Sequence, residues 1–280
     1  MQWLVTGCST GLGLDLARAI LQAGHSCIAT SRSKSTNPSA VLEIESLGGV
    51  WAELDVTAPD AESVVLSLVR EHGGVDVLVN NAGYALGGVV ETFNIDSGRA
   101  LMETNFFGPA RLIQSLLPSM TSRGTGVIVN ISSAEFWHPH PGTAFYAATK
   151  FAIEGFSEAL AAEVLPLGIR VLIVEPGAMR THFIHPHKVG LSPLPAAYVG
   201  TPADTVLKVI ISAHGLEGVD PRQAAQAVVR EVTAGPSRGR ECSLRMPLGG
   251  ESVTLTKARG EGFSRLAAAV AAEDVKCDFA

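Results

Sequence analysis

The sequence predicts a doubly wound α/β fold: a mainly parallel sheet of about seven strands with helices on both faces. Three observations carry this. Short runs rich in β-branched residues alternate with helical stretches as far as residue 175. Several runs, Val77-Leu78-Val79 and Val127-Ile128-Val129 among them, are continuously apolar, as strands covered on both faces are. The 280 residues are 46% hydrophobic and only 17% charged, against a usual charged share of about 25%.

In order, residues 2–6 read as a strand, 12–23 as a helix, 26–30 as a strand and 40–47 as a helix. Strands follow at 50–54, 75–79, 126–131 and 169–174, with helices at 60–72, 97–122 and 144–165. The stretch 176–202 carries Pro176, Pro186, Pro193, Pro195 and Pro202 and reads as an irregular, functional segment. Helices resume at 203–214 and 221–234, a strand is expected at 241–245, and the tail closes in an Ala-rich helix from Arg265 to Glu273. We expect one domain over 1–280: a cofactor-binding and catalytic core to residue 181, then a substrate loop, last strand and helical tail over 182–280.

Net charge is −6 and no basic run occurs, which disfavours nucleic acid as a partner. No apolar window reaches the ~20 residues of a membrane span. The start, MQWLVTG, has no charged n-region, and no CxxC pair links Cys8, Cys27, Cys242 and Cys277. These point to a reducing, cytoplasmic setting. His138, His140, His182, His185 and His187 lack ligand spacing, so no metal is expected.

Residues 6–13, TGCSTGLG, lie between the first strand and the first helix. Gly7, Gly11 and Gly13 allow a tight turn, a close backbone approach and close helix packing, and the helix N-terminus then faces a pyrophosphate. Gly7 to Gly11 also spells G-x-S-x-G, the elbow of a serine hydrolase with Ser9 as nucleophile. Only six residues precede Gly7, too few for the strand that supplies an oxyanion N–H, and Gly13 has no part in an elbow.

Tyr146 and Lys150 form a Y-x-x-x-K, Ser133 precedes the tyrosine by 13 residues, Asn80-Asn81-Ala82-Gly83 closes the fourth strand and Asn105 comes later in a helix. With the glycine loop, and with Pro176-Gly177 and Thr181 after the sixth strand, this set resembles the short-chain dehydrogenase/reductase family over residues 1 to about 181. The chemistry suits it. A free tyrosine ionises near pH 10. Lys150, four residues on and on the same helix face, is expected to favour the phenolate and bring that value down. Tyr146 is then the general acid/base for a carbonyl or secondary alcohol, and Ser133 bonds the same oxygen. The resemblance further implies that Lys150 holds the nicotinamide ribose, that Asn105 anchors a water leading from Lys150 to solvent, and that Asp55 meets the adenine amine.

The second strand ends at Ser31-Arg32 where an NAD-preferring site carries an acid, so the cofactor is read as NADP(H), with Ser9 and Arg32 on the 2′-phosphate. The same resemblance places Leu12, Val56, Asn81, Ala82, Gly83, Pro176, Gly177, Met179 and Thr181 along the dinucleotide. Tyr84, Phe136, Trp137 and Phe183 are read as an apolar substrate pocket for a hydrophobic carbonyl or alcohol. The segments Arg245-Met246-Pro247-Leu248-Gly249 and Lys276-Cys277-Asp278-Phe279 resemble a microbial, often fungal, subgroup associated with secondary metabolism. Helix 144–165 is apolar on nearly all sides apart from Glu154, Glu158 and Glu163, which suits a helix buried on both faces, and the resemblance implies that it packs in the interface of a homodimer or homotetramer. A non-redox role for a cofactor-binding protein of this fold is the second reading.

Overall fold

The computed structural model describes residues 1–181, 183, 194–212, 217–234 and 244–272. Seven strands form one sheet: β1 (Gln2–Val5), β2 (Ser26–Ser31), β3 (Val50–Glu53), β4 (Val77–Asn80), β5 (Gly126–Ile131), β6 (Ile169–Pro176) and β7 (Arg245–Leu248). Their order is β3-β2-β1-β4-β5-β6-β7, and every pairing is parallel. Strand order reverses between β1 and β4, and in such sheets the crevice beyond the carboxyl ends of those strands takes the ligand.

Alternate residues of each strand feed two cores. On one face Trp3, Val5, Cys27, Ala29, Val77, Val79 and Val129 pack under α1 (Gly11–Gln22), α2 (Pro38–Ser46) and α8 (Pro221–Thr233). On the other, Leu4, Ile28, Leu78, Ile128 and Val171 pack under α3 (Ala61–His72), α5 (Gly108–Arg123) and α6 (Ala144–Val164). This double cover explains the low charged fraction. Asn37 and Asp220 cap α2 and α8 through their side chains, each ahead of a proline at the first helical position. Cys8 and Cys27 are buried free thiols; burial raises both.

Three elements differ from the sequence reading. The expected single helix 97–122 is α4 (Ile95–Met102), a π-helical turn over Glu103–Phe107 and then α5. Pro109 has no N–H to give the Asn105 carbonyl, so the α ladder fails there, and Gly108 N–H bonds the Glu103 carbonyl instead. The last strand is Arg245–Leu248, displaced from 241–245. Its Pro247 argues against a strand except at an edge, which is where β7 lies. The tail helix, α9 (Gly250–Ala272), begins fifteen residues before Arg265; Gly260 and Gly262 in its interior mask it in the sequence. Helix α7 (Pro202–Ser212) lies as expected. Residues 182 and 184–193, which include His182, His185 and His187, lie outside the described residues, as do Cys242 and Cys277. Among the described residues no helix is long and apolar enough to cross a membrane.

Candidate active site

The glycine loop sits at the switch point. Thr6, buried at the end of β1, accepts hydrogen bonds from the Asn81 and Ala82 amides (both 3.0 Å) and donates to the Val79 carbonyl (3.3 Å). Asn81 Nδ2 in turn donates to the carbonyls of Thr6 (2.8 Å) and Gly7 (3.2 Å). This lashing leaves no room for side chains. A Cβ on Gly13 would fall on the Gly7 carbonyl and 2.5 Å from Asn81 Nδ2. Gly7 stands at φ +73° and Gly11 at φ +62°, the left-handed region that glycine alone enters cheaply. Thr10 ahead of α1 is extended, makes no capping bond, and no acid stands in the first turn. The first amides of α1 therefore lack partners on the side that a pyrophosphate would occupy. These residues fit a dinucleotide. Gly13→Ala is expected to lower stability by about 1–3 kcal/mol and to weaken dinucleotide binding, read by thermal unfolding and by fluorescence titration with reduced nicotinamide dinucleotides.

Downstream residues close the same crevice. The segment after β6 passes over the loop, with Thr181 Cβ 3.3 Å from where a Gly11 side chain would stand. Gly177 N–H bonds the Leu248 carbonyl at 2.9 Å, and Met179 bridges Val219. Asp55, beyond β3, accepts from the Thr57 amide and hydroxyl (2.9 and 2.7 Å). Ser31, at the end of β2, receives the Trp51 indole N–H at 3.0 Å, so the position that would carry an acid is occupied by a hydroxyl already engaged. Arg32 beside it is exposed. Ser9 is tied by its carbonyl to Asn37 Nδ2 at 2.8 Å.

On α6, Tyr146 and Lys150 are buried, and Lys150 Nζ stands 5.6 Å from the Tyr146 ring centre. The Tyr146 hydroxyl is hydrogen-bonded with Ser133, whose Oγ also accepts from the Glu135 amide at 3.2 Å. Lys150 donates to the Ile131 carbonyl at 3.0 Å. Burial pushes the Tyr146 phenol well above its ordinary 10, against the Ser133 bond, and the nearby Glu135 adds to the rise. Burial also draws Lys150 down to about 8. The expected lowering of Tyr146 by Lys150 is thus not what this structure has: desolvation dominates, Ser133 is the group that opposes it, and the phenol keeps its proton at neutral pH. Asn105, on the π turn, donates to the Tyr84 carbonyl (2.9 Å) and to Thr149 Oγ1 (3.0 Å), and accepts from the Tyr84 amide (3.1 Å). It therefore joins the β4 loop to α6 one residue before Lys150.

The short chain dehydrogenase model matches residues 2–188. The chain belongs to the short-chain dehydrogenase family. It is 45% identical over 210 residues to Oxidoreductase claN of Passalora fulva, covering 74% of this chain and 94% of that one. A short-chain dehydrogenase from Streptomyces avermitilis superposes with a TM-score of 0.86 at 34% identity, over 99% of both chains. The closed form of a serine dehydrogenase complexed with NADP+ superposes with a TM-score of 0.70 at 25% identity, over 89% of this chain and 94% of that one.

Within this short-chain dehydrogenase the four pocket candidates part company. The Phe183 ring lies 6.0 Å from that of Tyr146. Phe136 packs edge-on to Phe151, and Trp137 donates to Glu175 Oε2 at 2.8 Å. The Arg245 guanidinium lies over both rings, at 5.0 and 5.2 Å. Tyr84 is held at its backbone by Asn105, and its hydroxyl bonds Thr104 within electrostatic reach of Arg32. Glu135 receives the Thr143 hydroxyl (2.9 Å) and pairs with His140 Nδ1 (2.7 Å), which raises the His140 imidazole. Among the described residues no cluster of three His, Cys, Asp or Glu is placed to hold a metal. Sequence reasoning passed over Thr6, Thr149, Glu135 and Glu154. For Glu154 a signal existed: it stands four residues beyond Lys150.

Proposed function

We propose that this chain is an NADP(H)-dependent reductase of ketones on mainly hydrophobic small molecules, acting on the CH–OH/C=O pair with Tyr146 as general acid. The observation that carries the reading is the buried Tyr146 phenol, hydrogen-bonded with Ser133 and beside Lys150. Bound NADP(H) supplies the hydride. Tyr146, protonated at neutral pH, gives its proton to the carbonyl oxygen as negative charge develops there. Ser133 bonds the same oxygen and fixes its position. Lys150 orients the ribose and, as a buried ammonium beside the phenol, steadies the phenolate left behind. Asn105 and Thr149 hold the loop and helix that carry these groups. Phe183, on the Tyr146 side, contributes apolar wall and keeps water from the reacting carbon.

For the cofactor, Ser31 and the exposed Arg32 support NADP(H) over NAD(H): neither residue is the acid that would repel a 2′-phosphate, and a guanidinium suits one. The NADP+ complex of the serine dehydrogenase neighbour agrees in kind. Exposed Phe107 and Phe151 on the α5 and α6 side support self-association through that face.

A panel of apolar ketones with NADPH, with loss of nicotinamide absorbance as the readout, tests the reading. NADPH is expected to give the higher kcat/KM, and Arg32→Ala to raise the NADPH KM about 10- to 100-fold with little change for NADH. An NADH preference in the unaltered protein sinks the cofactor assignment. Binding of NADPH without any oxidation of it favours the non-redox reading instead.

A further inference from the structure

Tyr146, Lys150, Glu154 and Glu158 occupy successive i+4 positions on α6 and share one helix face. Glu158 is more than half exposed and bonds Arg245 at 2.6 Å. Glu154 is different. It has no exposed surface. Its Oε2 is held by Arg245 of β7, while its Oε1 completes no hydrogen bond. Ser132, buried beside it and favouring its charged form, likewise has a hydroxyl without a completed bond. An unpaired carboxylate oxygen in a dry interior is costly. Bracing Arg245 does not account for it, because Glu175 (2.6 Å) and Glu158 already pair with that guanidinium.

One turn back along α6 is a group that needs a counter-charge. Lys150 is buried, and its hydrogen bond to Ile131 uses one of its three donors. The Glu154 charge is what favours its protonated form against the pull of burial. We propose that Glu154 is the positioning residue for Lys150, its carboxylate serving as the buried counter-charge that keeps the ammonium protonated beside Tyr146. This rests on the role given to Lys150 above. Glu154 is faced by Lys150 and Glu158 from its own helix, by Glu175 from β6, by Arg245 from β7 and by the Ser132 hydroxyl after β5. Burial and Glu175 hold its proton on, up to about 7, against Ser132 and Arg245. Lys150 loses its own at about 8. Around neutral pH a charge on either group therefore favours the opposite charge on the other.

Glu154→Gln keeps the shape and removes the charge. The alkaline limb of kcat/KM is expected to move to lower pH by about one unit. The pH above which the NADPH Kd rises moves with it. Glu158→Gln leaves both in place. Ser132→Ala, a smaller change that the fold tolerates even where Glu154→Gln is unstable, moves both the same way by less. Stability gives a readout free of catalysis. Folded Glu154 keeps its proton above the ordinary 4.5, so between about 4.5 and about 7 the folded state binds more protons than the unfolded one. Its contribution to stability falls as pH rises through that window, and Gln removes this slope. Uniform losses in Glu154→Gln and Ser132→Ala at every pH, with unmoved limbs, make Glu154 a brace for Arg245 only and overturn the proposal. Should no ketone be reduced, the functional reading fails, and the pH profile of NADPH binding still decides the role of Glu154.

Discussion

Tyr146→Phe is expected to lower kcat by about 10²- to 10⁴-fold with NADPH affinity essentially unchanged. The variant retains the ring that meets Phe183 at 6.0 Å and removes only the hydroxyl. Ser133 keeps its bond from the Glu135 amide, so the turn after β5 stays ordered and the loss is chemical. Steady-state kinetics beside fluorescence titration of NADPH separates the two effects. Wild-type turnover in this variant would falsify the general-acid role. Direction matters as well. The phenol holds its proton through neutral pH, so reduction is served over the neutral range, whereas oxidation of the alcohol requires phenolate and should quicken as pH rises.

Arg245→Met is expected to cost about 3–5 kcal/mol of stability, more than Gly13→Ala. Arg245 is the cation for three carboxylates, of which Glu154 and Glu175 have no exposed side-chain surface. It also covers the rings of Phe136 and Trp137, a contact worth roughly 0.5–2 kcal/mol. Methionine matches much of the volume but strands two buried acids. Lower pH should restore part of the loss, since Glu154 takes up its proton below about 7 even with the guanidinium present and more readily without it. Urea unfolding at pH 8 and pH 6 measures both terms. A variant as stable as the parent at pH 8 contradicts this account.

How much of this the sequence disclosed depended on whether function rested on local pattern. The first six strands were legible because apolar β-branched runs have few other uses. The glycine loop, Ser133, Tyr146 and Lys150 were legible because each spacing has a steric or electrostatic reason. Edge strand β7 was misplaced because Pro247 argues against a strand until its edge position is known. The Arg245 cluster was invisible: its acids lie 91 and 70 residues away along the chain, and no periodicity joins them. Phe136 and Trp137 were read as pocket lining by composition, and only the fold adds that a guanidinium lies over both rings and a carboxylate takes the Trp137 N–H.

The π turn over Glu103–Phe107 makes this stretch sensitive to length as well as to composition. Each residue added to or removed from an α-helix rotates its downstream turns by about 100°. Closing the π turn by deleting one residue would swing Leu112, Ile113, Leu116 and Met120, all buried against the sheet, toward solvent. It would also carry Asn105 away from Tyr84 and Thr149. The turn is therefore a phase adjuster between two obligations, an amide held at α6 and an apolar face held on the sheet. Point substitutions can drift on the exposed side of this helix pair, but insertions and deletions within it cannot.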